Sequence, residues 1–118
     1  MGSMTPEGRV KQRLKVMLKR LGVWFFFPGN NGLGVSGIPD VIAIVCGRFV
    51  GIEVKSGPTK KPTALQLKCA KDILAAGGKW FLVYDDATIG AVEDYITNAC
   101  YRESQGTSTQ AEQPGTGA

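Results

Sequence analysis

The segment GIPDVIAIVCGRFVGIEVKSG, residues Gly37 to Gly57, contains two short apolar runs that carry charge at their outer ends. Their β-branched content and the intervening Cys-Gly predict two strands, Asp40 to Val45 and Arg48 to Lys55, paired as a hairpin. Charged residues are unusual in strands that are otherwise suited to burial. The candidates for a functional site in this segment are therefore Asp40, Glu53 and Lys55.

The length of the hairpin loop decides whether these charges meet. Side chains alternate along a strand, so Glu53 and Lys55 share a face. A two-residue loop at Cys46-Gly47 would place Asp40 opposite Glu53, and a Gly47-Arg48 loop would place it opposite Lys55. A three-residue loop would turn Asp40 to the other face. Clustering of the three charges therefore requires an even loop.

With an even loop, one face of the hairpin is apolar throughout and the other becomes acidic at one end. The apolar face consists of Val41, Ala43, Val45, Val50, Ile52 and Val54. Two carboxylates about 5 Å apart repel by roughly 3 kcal/mol at an effective dielectric near 20, so a positive charge is expected beside them. Lys55 is one candidate and a divalent cation is the other. The structural alternative is a partly exposed Asp-Lys-Glu cluster of little energetic worth.

Helical periodicity and turn residues predict the other elements and an α/β fold. The expected elements are a basic amphipathic helix from Glu7 to Leu21, an aromatic strand from Val23 to Phe27, a helix from Thr63 to about Ala76, a strand from Lys79 to Tyr84, and a last helix from Ala87 to Cys100 capped by Asp86. The strand after the second helix follows a crossover, which predicts a mixed sheet with helices on both faces. We expect one domain over residues 4–103, an expression scar at 1–3 and a disordered tail at 104–118.

The composition restricts the chemistry that is available. The 118 residues have a net charge of +4, which favours a polyanionic partner, and they include no histidine. Ser-His-Asp and Cys-His catalysis and histidine-ligated metals are thereby excluded, whereas carboxylate ligands suit Mg²⁺ or Mn²⁺. The widely spaced Cys46, Cys69 and Cys100 suggest neither a disulfide framework nor a zinc site, so a reducing, intracellular location and no membrane association are expected.

A glycine-rich motif in the chain resembles a nucleotide-binding loop but lacks the required context. Residues Gly32 to Gly37 match G-x-G-x-x-G after a predicted strand. The motif needs a helix whose N-terminus holds a pyrophosphate, whereas Ile38-Pro39 turns this chain into the next strand. We therefore expect no nucleotide cofactor, and interpret the glycines as a loop that lets the backbone approach a ligand or cross beneath another element.

Pro39-Asp40, followed after a hairpin by Glu53-Val54-Lys55, resembles the signature of the PD-(D/E)XK nuclease superfamily. Within it, the chain is similar to a stand-alone VRR-NUC domain over about Glu7 to Asp85. The similarity rests on Glu7, Gly37 to Asp40, Gly47 to Lys55, Gln66 and Ala75 to Gly78. The loop from Pro58 to Leu65 departs from the family pattern. The resemblance implies a restriction-endonuclease-like αβββαβ core, with a mixed sheet flanked by helices and an added C-terminal helix.

The resemblance also assigns roles to residues. Asp40 and Glu53 would bind Mg²⁺ or Mn²⁺ together with the Val54 carbonyl, and Glu7 would contribute directly or through water. Lys55 would orient or deprotonate the attacking water, and Gln66 would reach the site. Glu7 could instead be a helix-dipole acid, and Thr63-x-x-Gln66 also forms a capping box.

The activity that the resemblance implies is metal-dependent endonucleolytic hydrolysis of DNA, with four-way (Holliday) junctions as substrate. A homodimer in the cytoplasm of a bacterial cell or a phage-infected host is expected. Candidate phosphate contacts are Lys11, Lys15, Lys60 and Lys61, although solvated lysines are the common alternative. The strand from Trp24 to Phe27 and the last helix could supply a dimer surface or ordinary core packing. The rival functions are a non-catalytic DNA-binding module and a restriction-like nuclease acting on linear duplex.

Overall fold

The computed structural model describes residues 4–29 and 36–106, which form three helices around a four-stranded sheet. The elements are α1 Pro6–Arg20, β1 Trp24–Phe26, β2 Val41–Val45, β3 Arg48–Val54, α2 Ala64–Ala75, β4 Lys79–Val83 and α3 Asp86–Gly106. The strands lie in the order β1-β2-β3-β4, with β1, β2 and β3 antiparallel and β4 parallel to β3. The predicted α/β class, element order and mixed sheet are confirmed.

The β2–β3 turn has the even length on which the acidic cluster depends. Val45 pairs with Arg48 and Val41 pairs with Ile52, so the loop is Cys46-Gly47. Both loop residues have positive φ, 48° at Cys46 and 84° at Gly47, as a tight turn that follows the strand twist requires. Continued by one step, this register brings Asp40 opposite Glu53.

The two faces of the sheet are covered by different helices. The apolar hairpin face predicted from the sequence is buried beneath α1 and α3, whose contribution to the core is Val10, Leu14, Met17, Leu18, Ile89, Val92 and Ile96. On the other face, Ile73 of α2 lies against Gly51 of β3, and Pro39 packs beside it. Helices therefore cover both faces as expected, and α2 lies on the face that carries Glu53.

All three helices begin within one residue of the predicted positions, but α3 ends later than predicted. Thr5 and Thr63 are the N-caps of the first two helices. Asp86 is the first residue of α3, and Asp85 caps it by accepting a hydrogen bond from the Thr88 N–H at 2.9 Å. The helix continues to Gly106 because no glycine or proline interrupts it after Cys100. The predicted domain boundary, expression scar and disordered tail stay predictions, since residues 1–3 and 107–118 lie outside the described residues.

A disulfide joins Cys46 to Cys100, so the prediction of no disulfide was wrong. The two Cα atoms are 5.8 Å apart and 54 residues apart in sequence. The hairpin turn and α3 lie next to each other at one end of the sheet. The spacing of the cysteines in the sequence does not indicate this proximity. Cys69 is a free thiol. Among the described helices, none is long and apolar enough to cross a membrane.

Candidate active site

The candidate site lies at the end of the sheet opposite the Cys46-Gly47 turn, where β2 begins and β3 ends. Asp40 directly precedes β2, and Glu53 is the penultimate residue of β3. Glu53 is only 1% exposed, and among the described residues it is the single charged side chain that is buried. The alternative of a partly exposed, weakly interacting cluster therefore does not describe Glu53. A carboxyl group in such a position requires hydrogen bonds or a positive charge that offset its loss of hydration.

Asp40 is fixed to the end of β3 by its own side chain. Its Oδ2 accepts a hydrogen bond from the Val54 N–H at 2.9 Å. Its Oδ1 lies 3.7 Å from Nζ of Lys11 on α1, and the side chain is 27% exposed. One oxygen of Asp40 therefore connects the start of β2 to the end of β3, while the other lies near the side chain of Lys11 on α1.

The two oxygens of Glu53 have different environments. Oε2 accepts a hydrogen bond from Nε2 of Gln66 at 2.7 Å and lies 3.8 Å from Nζ of Lys55. Oε1 is also buried, yet it has no hydrogen-bond partner within the described part of the chain. Buried polar atoms are almost always paired, so Oε1 marks a place where the site is incomplete as a purely protein structure.

The environment of Glu53 raises its pKa to about 8. Burial is the largest cause of the raised pKa, and the charge of Asp40 adds to it. Lys55 lowers the pKa of Glu53 but does not offset the other contributions, and Glu7 raises it further. Lys55 alone therefore does not keep Glu53 ionised at neutral pH.

A divalent cation fits this donor set. In residues 4–29 and 36–106, no three or more His, Cys, Asp and Glu side chains are grouped closely enough to hold a metal. The acids that meet at this end of the sheet are Asp40 and Glu53, and the Val54 carbonyl stays a predicted third ligand. Mg²⁺ commonly binds one or two carboxylates and completes its shell with water and substrate phosphate. The unpaired buried oxygen of Glu53 is the kind of atom that such a cation would satisfy.

The other predicted residues fall into two groups. Glu7 reaches the acids through Lys11, whose Nζ lies 3.5 Å from Glu7 Oε2, and the Glu7 side chain is 43% exposed. Lys11, predicted as a phosphate contact, thus lies within the site. Lys60 and Lys61 are exposed on the loop between β3 and α2, and Lys15 is half-buried on α1. These three residues form no ion pair within the described ranges.

Gln66 makes both of the contacts that the sequence presented as alternatives. Its Oε1 accepts from the Thr63 N–H at 2.8 Å, as a capping box requires, and its Nε2 donates to Glu53. The contact of Lys11 with Asp40 was missed, because the site end of α1 is recognisable only once the helix is placed across the sheet.

Comparison with solved structures identifies a similar chain described as "VRR_NUC domain". It is 27% identical to this protein, with a TM-score of 0.69, and the match covers 78% of this chain and 98% of that chain. The match confirms the predicted resemblance and the fold class. No family model matches the sequence, and no curated protein matches it.

Proposed function

The chain has the VRR_NUC fold, a nuclease fold of the PD-(D/E)XK type, and on that premise we propose that it is a divalent-metal-dependent endodeoxyribonuclease. The observation that carries the proposal is the buried Glu53 carboxyl, with one unpaired oxygen, beside Asp40 and Lys55. Asp40, Glu53 and the Val54 carbonyl would hold Mg²⁺ or Mn²⁺. When bound, the ion would neutralise phosphate charge and lower the pKa of a water molecule.

The residues around the acids have separable tasks in this proposal. Lys55, 16% exposed, is accessible enough to orient the attacking water or accept its proton, and its charge favours the phosphate transition state. Gln66 holds Oε2 of Glu53. Lys11 would shift from Asp40 towards a DNA phosphate, and Glu7 would bind the ion through water. Lys15, Lys60 and Lys61 would contact phosphates farther from the cleavage point.

A homodimer acting on four-way junctions is the proposed assembly and substrate. An apolar row crosses the uncovered part of the Glu53 face, because Trp24 pairs with Ile44 and Ile44 pairs with Phe49. Trp24 is 60% exposed, and Ile44, Phe49 and Phe26 are also exposed. An apolar surface of this kind supports self-association. The last helix is committed to the core instead. Two sites in one dimer would suit the two strands cut in a junction.

The test is cleavage of a substrate panel consisting of four-way junction, flap, single-stranded and linear duplex DNA. Each substrate is incubated with Mg²⁺, with Mn²⁺ or with chelator. We expect metal-dependent cleavage that is greatest on the junction and is lost in Asp40→Asn and Lys55→Ala. The nuclease proposal fails if the wild-type protein cuts nothing, or if both variants cut as well as it does.

The same panel separates the rival functions. Salt-dependent DNA binding without cleavage, retained in Asp40→Asn, would indicate a non-catalytic binding module. Cleavage of linear duplex alone would indicate a restriction-like nuclease and remove the junction assignment. Light scattering on the wild-type protein and on Trp24→Ser tests the dimer, which we expect to be weakened by the substitution.

A further inference from the structure

We infer that the first turn of α2 holds both acids in place, and that Thr63 is a positioning residue that acts on Glu53 through Gln66. The inference rests on the proposed function and adds a residue to its machinery. Thr63 is exposed and lies outside the acid cluster itself. Its effect on the site would be transmitted entirely through hydrogen bonds.

The capping box fixes the orientation of the Gln66 amide. The Thr63 N–H donates to Oε1 of Gln66 at 2.8 Å, and the Gln66 N–H donates to Oγ1 of Thr63 at 3.1 Å. With the amide oxygen held by the backbone of Thr63, the NH₂ group must point the other way. It donates to Oε2 of Glu53 at 2.7 Å. A rotated amide would present its oxygen to the carboxylate, and two acceptors would then face each other.

The same turn also supports the segment that leads to Asp40. Gly37 has φ of 83°, and a Cβ built on it would lie 2.5 Å from the carbonyl oxygen of Leu65 and 3.1 Å from the Gln66 nitrogen. Only glycine allows this backbone to pass so close to the helix. The segment before Asp40 is therefore packed against the turn that binds Glu53.

These two contacts fix the positions of both carboxylates relative to the first turn of α2. Glu53 is tied to the turn by a hydrogen bond, and the approach to Asp40 is tied to it by packing. Outer contacts of this kind orient metal-binding groups, and their loss commonly costs about 10- to 100-fold in affinity or activity. Fraying of the first turn would loosen the Gln66 amide and move Glu53 relative to Asp40.

The test compares Thr63→Val, Thr63→Ser and Thr88→Val with the wild-type protein. Valine removes the hydroxyl at nearly constant shape, and serine restores it. Thr88→Val is the matched control, because the Thr88 hydroxyl caps α3 through the N–H groups of Tyr84 and Asp85 and does not contact Glu53. The first readout is the ¹³C chemical shift of the Glu53 carboxyl carbon in metal-free protein at one pH. The second is kcat and KM on four-way junction DNA with Mg²⁺.

We expect Thr63→Val to move the Glu53 carboxyl resonance and to lower kcat about ten-fold with little change in KM. Thr63→Ser should restore both, and Thr88→Val should change neither. The inference is overturned if Thr63→Val leaves the resonance in place, if Thr88→Val moves it equally, or if serine does not restore it. Should the wild-type protein cut no DNA, the proposed function fails while the resonance still decides the positioning role.

Discussion

At the residue scale, Glu53 links stability to pH in a direction opposite to that of an ordinary surface carboxylate. The unfolded chain ionises this group near pH 4.5, whereas the folded chain, in which its pKa is about 8, retains the proton. Between those values the folded state binds more protons than the unfolded state. The stabilisation is complete below pH 4.5 and is lost as the pH rises through about 8.

We therefore predict that the metal-free protein becomes less stable from about pH 5 to pH 8, by up to roughly 1.4 kcal/mol per pH unit. Denaturant unfolding in chelator at several pH values measures this slope. Asp85 does not affect the window, because hydrogen bonds from Thr88 hold its pKa below 3.8.

Glu53→Gln is the control for this slope, since glutamine fills the same space and does not titrate. The variant should show a nearly flat profile over the same range. An equal slope in wild type and Glu53→Gln would show that other groups are responsible for the pH dependence.

At the element scale, α1 carries two basic rows with different surroundings. Arg13 and Arg20 face α3 and pair with Asp86 and Glu93 at 2.8 and 3.0 Å. On the other flank, four-residue spacing aligns Lys15 and Lys19 with Lys11, which contacts Asp40 at the site end of the helix. The lysine row thus leads away from the proposed cleavage point, whereas the arginine row joins two helices.

We predict that Lys15→Gln combined with Lys19→Gln weakens DNA binding and lowers the slope of log K against log salt by about 1 to 2, because up to two phosphate contacts are removed. Fluorescence anisotropy of a labelled junction at several salt concentrations gives the slope. Arg20→Gln is the matched control and should leave the slope unchanged while lowering stability slightly. A slope unaffected by the lysine changes would place the DNA elsewhere.

Local sequence signals predicted most of the elements and the hairpin half of the site. Strand alternation predicted that Asp40 and Glu53 meet if the hairpin loop is Cys46-Gly47, but the loop length itself was left open by the sequence. Thr63-x-x-Gln66 located the start of α2. They could not show that Gln66 both caps the helix and binds Glu53, because that depends on how α2 crosses the sheet. The beginning of α3 was misplaced by one residue, since adjacent Asp85 and Asp86 are equally good caps.

At the scale of the whole molecule, the Cys46–Cys100 disulfide joins the hairpin turn to α3 across a separation of 54 residues. Closing a loop of this length restricts the unfolded chain, and the entropy model gives about 4 kcal/mol of stabilisation. The link lies at the opposite end of the sheet from the acids. Long-range contacts such as this one follow from topology, which explains why cysteine spacing failed to predict it.

We predict that reduction, or Cys46→Ser, lowers the free energy of unfolding by about 2 to 4 kcal/mol. Denaturant unfolding with and without a thiol reductant is the measurement. Cys69→Ser retains the disulfide and should keep the sensitivity to reductant. Equal stability of oxidised and reduced protein would contradict the role assigned to the disulfide.

Counting the protons released when Mg²⁺ binds shows whether Asp40 and Glu53 form a cation site. Because Glu53 has a pKa of about 8, it is mostly protonated at pH 7, and a cation must displace that proton. Calorimetric titration in buffers of different ionisation enthalpy should show nearly one proton released per Mg²⁺ at pH 7 and almost none at about pH 10. Binding without proton release at pH 7, or the same binding in Asp40→Asn combined with Glu53→Gln, would show that the two acids do not bind the cation.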